Sequence, residues 1–194
     1  MPAMLPRIRI RPLQWEPHLE PVRLEEASAA QLEAMKVTPS STRISPYVRT
    51  LAHDPESYRA RTELFNSIMY ARDGIPRTER ELGALAASVT NGCRYCAMIH
   101  GRRLAELMKS DDVITALWHN RPDLLSAREQ AIWAFSCALS RTPPAATGAH
   151  VSALRRAGLS DGDILDLIHV IAIFGWANRL MHPLGRAVPG GARS

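Results

Sequence analysis

Cys93, Cys96 and His100 are spaced i, i+3 and i+7, which at ~3.6 residues per turn puts them within an arc of roughly 60° on one helix face. Asn91-Gly92 is a turn dipeptide directly ahead of them, so a helix opening at Cys93 carries both sulfurs in its first turn or so. There the helix dipole and the free N–H groups favour the thiolate, the form that attacks peroxides and disulfides. His100, one turn beyond Cys96, is placed to take a thiol proton directly or through water. A nucleophile, a second thiol three residues away and a base on the same face describe dithiol redox chemistry. The same residue types suit zinc, but C-x-x-C-x-x-x-H supplies three ligands, and no partner knuckle supplies the usual fourth.

Glu81 is the fourth candidate, and it fits two roles. If the helices before and after Asn91-Gly92 pack antiparallel, Glu81 and His100 lie nearly equally far from the turn. A carboxylate there would orient the imidazole. Alternatively, Thr78 is an N-cap and Glu81 the third residue of a capping box. Cys137, inside an apolar run, reads as a small buried residue. His169 and His182 read as core or cap histidines, and Trp118, Trp133 and Trp176 as core.

The elements that must position these residues are helices. Residues 1–22 are rich in Pro and Arg without a period and suit an extended arm. Short helices are expected at 27–35 and 47–52, with a loop at 38–41 between them. A helix over 59–71 places Leu64, Ile68 and Ala71 on one face and stops at Gly74. The next carries Leu82, Leu85, Ala86 and Val89 as its apolar stripe. Helices then run from Cys93 to about Met108, after Ser110-Asp111-Asp112, from the Ser126–Glu129 capping box to Ser140, over 149–156, and from Ser160 to Met181. No segment alternates with period two for long enough to be a strand, so an all-α bundle with short connections is expected.

One internal echo appears at an offset of 82: Thr78, Glu81, Leu82, Leu85, Val89 and His100 align with Ser160, Asp163, Ile164, Leu167, Ile171 and His182. Gly175 and Asn178 then stand where Cys93 and Cys96 stand in the first copy. A duplicated helical hairpin would produce this echo, as would two independently capped amphipathic helices.

At 194 residues the chain suits one core. The boundaries read as an arm with short helices over 1–55, a helical domain over 56–188 and a tail over 189–194. The net charge of +5 is spread as scattered arginines among acids, with only Lys36 and Lys109 as lysines. That pattern lacks the basic stripe of a nucleic-acid binder. The longest apolar stretch, 164–181, is interrupted by Asp166, His169, Asn178 and Arg179 and reads as a buried helix, with no membrane span expected. Without an apolar leader in the opening residues, the expected location is the cytoplasm. Three cysteines are too few for a disulfide framework.

The stretch from Glu81 through Asn91-Gly92-Cys93-Arg94-Tyr95-Cys96 to His100 resembles the alkylhydroperoxidase D core, within the wider carboxymuconolactone decarboxylase family. Its pattern is a Glu, a gap, then C-x-x-C-x-x-x-H. Asn178-Arg179 through Leu184-Gly185 also resembles the close of the family's peroxidase-related branch. The resemblance implies an all-helical homo-oligomer that reduces peroxide through a C-x-x-C disulfide, without a cofactor. It makes Cys96 the peroxidatic thiol, Cys93 the resolving thiol, and His100 with Glu81 the proton relay. The implied partners are a small peroxide and a thiol or dithiol electron donor, with no nucleic acid or membrane. One departure is Tyr95, where the best-known members carry a His. The paired cysteines argue against lactone decarboxylation, whose branch lacks them. Two rival readings remain at this point: a redox-sensing helical oligomer without turnover, and a metal-binding module. The arm, with Leu13, Trp15 and Leu19, is expected to pack against something, a second subunit included.

Overall fold

The computed structural model describes residues 11–36 and 44–190. The expected loop at 38–41, the first ten residues of the arm and residues 191–194 of the tail lie outside the described residues. In chain order the elements are strand β1 (Leu13–Pro17), then helices α1 (Ala29–Ala34), α2 (Pro46–Leu51), α3 (Pro55–Met69), α4 (Arg77–Thr90) and α5 (Arg94–Met108). Helices α6 (Asp112–Trp118), α7 (Ala127–Ser140), α8 (Gly148–Arg156) and α9 (Asp161–Leu184) follow, and strand β2 (Gly185–Pro189) closes the described chain. The architecture is all-α, as expected, with one small sheet added.

Local capping chemistry sets most helix starts. Ser28 with Gln31, Ser126 with Glu129 and Ser160 with Asp163 form complete capping boxes. Ser45 and Asp54 each accept from the backbone N–H three residues on, with proline in the first turn. The expected Thr78 cap does not form. Helix α4 begins at Arg77 with Pro76 at its N-cap, so Thr78 sits in the first turn and Glu81 in the helix body.

Helix α4 is the centre of the bundle, packed by α5, α7 and α9. Every residue from Arg80 to Ser88 is buried, as expected of a helix covered all round. Helix α9 brings Leu167, Val170, Ile171 and Phe174 to the same core as Leu82, Leu85 and Phe135. By length and composition α9 would cross a membrane, but half of its most apolar window is buried inside the protein.

Four expectations are corrected. In α3 the buried face is Tyr58, Thr62 and Met69, while Leu64 is exposed. Thr62 tolerates burial because its hydroxyl donates to the Tyr58 carbonyl. Trp118 is 74 % and Trp176 44 % exposed, so neither is a core residue. Segment 161–184 is one continuous helix, so the echo at offset 82 is not a second hairpin. Finally, the arm contains a strand: β1 pairs antiparallel with β2, Trp15 opposite Ala187. The strand is too short to alternate legibly, and its partner lies some 170 residues away. The pairing seats Trp15 in the interior, and a Cβ at Gly185 would run into its ring.

Candidate active site

The α4–α5 hairpin turns at Gly92, whose φ of 72° lies in the left-handed region that favours glycine. Cys93 is the N-cap of α5, and its own N–H donates to the Ser88 carbonyl. Cys96 follows one turn on, and the two sulfurs lie 2.7 Å apart. Both cysteines are buried, in a small cluster with Trp15 and Met181, flanked by Tyr47, Tyr95 and Leu184. The arm and the end of α9 therefore form the lid of the dithiol.

The two thiols are unequal. The hydrogen bond shared with Cys96 draws the Cys93 thiol below its ordinary value, against burial. The Cys96 backbone N–H, the His182 charge and the Asn178 amide pull the same way. Cys96 is pushed up by donating its hydrogen bond to Cys93, by burial and by the Cys93 charge. The two sulfurs share one hydrogen bond, and the start of α5 favours a thiolate at Cys93.

The antiparallel arrangement that would bring Glu81 to His100 is present. His100 Nδ1–H donates to Glu81 Oε2 at 2.6 Å, and the imidazole meets the Phe174 ring edge-on at 4.4 Å. The other carboxylate oxygen, Oε1, accepts from Arg77 Nε at 2.8 Å and Nη2 at 2.6 Å. Arg77 in turn stacks over the Tyr70 ring at 4.0 Å. Glu81 is fully buried. Burial pushes its carboxyl up, but the hydrogen bond and charge of His100, with those of Arg77, outweigh that and hold it below its ordinary value. The bond to Nδ1 orients the imidazole.

Several residues of the site escaped the sequence reading. Arg77 carries a legible signal, since it stands i, i+4 from Glu81 on one helix. Asn178, the echo of Cys96, is fully buried on α9; its amide donates to Ser88 Oγ at 3.3 Å and its oxygen accepts from Asn91 at 3.1 Å. His182 Nε2–H donates to the Asn91 carbonyl at 2.9 Å. Trp15 and Tyr47, edge-to-face at 5.3 Å, have no sequence signal tying them to the dithiol. Among the described residues both Trp15 Nε1 and Tyr47 Oη are buried without a hydrogen-bond partner, in the cluster that encloses the sulfurs. Cys137 is half-buried, and burial raises its thiol.

Two cavities meet at Cys93. One, of about 300 Å³, is lined by Trp15, His18, Tyr95, His182 and Arg186. The other, of about 730 Å³, opens on the far side of Gly92-Cys93-Arg94 toward Trp118 and Trp133.

Residues 55–136 match the model of the carboxymuconolactone decarboxylase family. No curated protein matches the chain. Among solved structures, one described as an alkylhydroperoxidase AhpD core, an uncharacterized peroxidase-related protein from Ralstonia eutropha JMP134, is 24% identical with a TM-score of 0.74. The match covers 87% of this chain and 90% of that one. An uncharacterized peroxidase-related protein from Silicibacter sp. TM1040 is 22% identical, with a TM-score of 0.75 and the same coverage of both chains. The debrominase Bmp8 is 23% identical, with a TM-score of 0.69 over 82% of this chain and 85% of its own. At these identities the likeness is one of fold.

Proposed function

We propose that this chain, whose residues 55–136 belong to the carboxymuconolactone decarboxylase family and whose fold is alkylhydroperoxidase D-like, is a peroxide-reducing dithiol enzyme. The observation that carries the reading is the buried pair Cys93–Cys96 at 2.7 Å, with the His100–Glu81 pair at 2.6 Å held one turn further along α5. Cys93 thiolate attacks the peroxide and becomes a sulfenic acid. Cys96 then displaces the hydroxyl, which leaves as water, and a disulfide forms between the two. A thiol or dithiol donor returns the two electrons. His100, held by Glu81, moves protons at the site, and the unpartnered Trp15 and Tyr47 donors support the oxygen carried by sulfur. This order reverses the roles implied by the family resemblance, because the shared hydrogen bond and burial disfavour a thiolate at Cys96.

The test is steady-state consumption of an organic hydroperoxide with dithiothreitol as donor. The reading expects many turnovers per chain; oxidation that stops after one equivalent would favour a redox sensor instead.

Self-association belongs to the same reading. Leu64, Val89, Trp118, Leu165 and Trp176 leave large apolar groups exposed on one chain, surface that a second copy would cover. Light scattering at micromolar concentration is expected to give a multiple of 21.5 kDa, and the monomer mass would contradict it.

A further inference from the structure

Closing the disulfide makes a demand that the first oxidation does not. Only a thiolate attacks sulfur, yet the Cys96 thiol is pushed up by its hydrogen bond to Cys93 and by burial. Helix α9 carries a group placed to meet that demand, the fully buried amide of Asn178. Its Oδ1 accepts at 3.1 Å from the side chain of Asn91, two residues before Cys93, and its Nδ2 donates to Ser88 Oγ at 3.3 Å. The Ser88 carbonyl in turn accepts the Cys93 N–H at 2.9 Å. One turn along α9, His182 donates to the Asn91 carbonyl at 2.9 Å, and Met181 joins the cluster of both cysteines. With the Asn178 oxygen bound to Asn91, the nitrogen is the end of the amide left for the dithiol. It carries two hydrogens, and the Ser88 bond uses one. A buried N–H requires an acceptor, and the same side chain draws down both thiols through a hydrogen bond.

We propose that Asn178 is a catalytic residue of disulfide closure, its amide N–H donating to the Cys96 sulfur as negative charge develops there. The assignment rests on the reading of Cys93 and Cys96 as a peroxide-reducing pair. In the step itself the Cys96 sulfur supplies the electron pair of the new S–S bond. The Cys93 S–O bond breaks with its pair on oxygen, and the departing hydroxide leaves with the Cys96 proton as water. A fixed neutral donor suits this step, because it needs no proton of its own and no reorganisation when the charge appears.

Asn178→Leu keeps the volume and removes the donor; Asn178→Ala removes it without apolar bulk, should the leucine variant not fold. Reduced protein is mixed with cumene hydroperoxide at neutral pH, sulfenic acid is trapped with dimedone, and the disulfide is followed by mass spectrometry. First oxidation is expected to slow about threefold, the ordinary worth of one hydrogen bond. Closure is expected to slow about 100-fold, the cost of losing one preorganised donor to developing charge. Dimedone should therefore capture Cys93 in the variants and not in the unmodified protein. Closure in the variants should recover as pH rises, because hydroxide then removes the Cys96 proton unaided; a turn merely loosened would not recover. The other titratable groups around the sulfurs are Tyr47 on α2, Arg94 and Tyr95 on α5, His182 on α9, and His18 and Arg186 across the smaller cavity. All remain in the variants, and burial pushes both phenols above their ordinary 10.0. Closure as fast in the variants as in the unmodified protein overturns the proposal while leaving the dithiol reading intact. Equal slowing of both steps that no rise in pH relieves overturns it too. An unmodified protein that forms neither sulfenic acid nor disulfide defeats the dithiol reading itself, and the role of Asn178 falls with it.

Discussion

Cys93→Ser is expected to abolish the first reaction with peroxide, whereas Cys96→Ser should leave Cys93 oxidised once, to a sulfenic acid, with no turnover. The argument is electrostatic and positional. Cys93 caps α5, faces both cavities and is drawn down to about 7. Burial of Cys96 disfavours its thiolate. Since only thiolate attacks, the rate of first oxidation should rise with pH through about 7 and level off above it. The largest contribution to that low value is the hydrogen bond from Cys96. Cys96→Ala should therefore move the inflection upward, toward the ordinary thiol value of 9.0. Cys96→Ser keeps a hydroxyl donor and should move it less. Stopped-flow oxidation across pH, with dimedone trapping of the sulfenic acid, reads both effects. A Cys93→Ser variant that still forms one sulfenic acid, paired with an inert Cys96→Ser, would restore the order implied by the resemblance.

Glu81→Gln is expected to slow first oxidation by roughly 10-fold or more, as loss of part of a proton-transfer system usually does. Glutamine keeps the shape of the side chain but not the charge that locks His100 Nδ1–H and the Arg77 guanidinium in place. Stability should fall too, by about 1–3 kcal/mol, because a buried charged network loses one partner's charge. The sign with pH follows from the depressed carboxyl. Its contribution is fully present above about 4.5, the ordinary value, and is lost as pH falls through the lower native value. Glu81→Gln should lack that acid limb, so thermal melts of the two proteins should converge in acid. A variant with unchanged rate and unchanged melting at neutral pH would remove Glu81 from the relay.

The contrast between cap and relay shows where sequence reasoning reaches and where it stops. Cys93, Cys96 and His100 are legible because they share one helix, and local spacing decides their geometry. Glu81 is half legible: hairpin register brings it to His100, while the capping motif argues otherwise. Its true partner at the helix start is Arg77, one turn back. The α7 and α9 starts are legible because a capping box is a four-residue event. Trp15 is illegible for the opposite reason. Its strand exists only through a partner at Gly185–Pro189, and no local pattern announces a pairing across the whole chain. Apolar type alone likewise misplaced Trp118 and Leu64, since exposed apolar residues carry the same signal as core ones. Asn178 was marked by the echo but given no role, because a buried amide acquires its meaning only from Ser88, Asn91 and the sulfurs around it.

The central claim is that Cys93 and Cys96 exchange two electrons with peroxide as one unit. Fully reduced protein treated with one equivalent of organic hydroperoxide, then quenched and mapped by mass spectrometry, tests it most directly. The account predicts a loss of two hydrogens confined to the peptide joining Cys93 to Cys96, with Cys137 unmodified, and full return of both thiols on adding dithiothreitol. Oxidation spread to Cys137, or a pair still reduced after the peroxide is consumed, would contradict it.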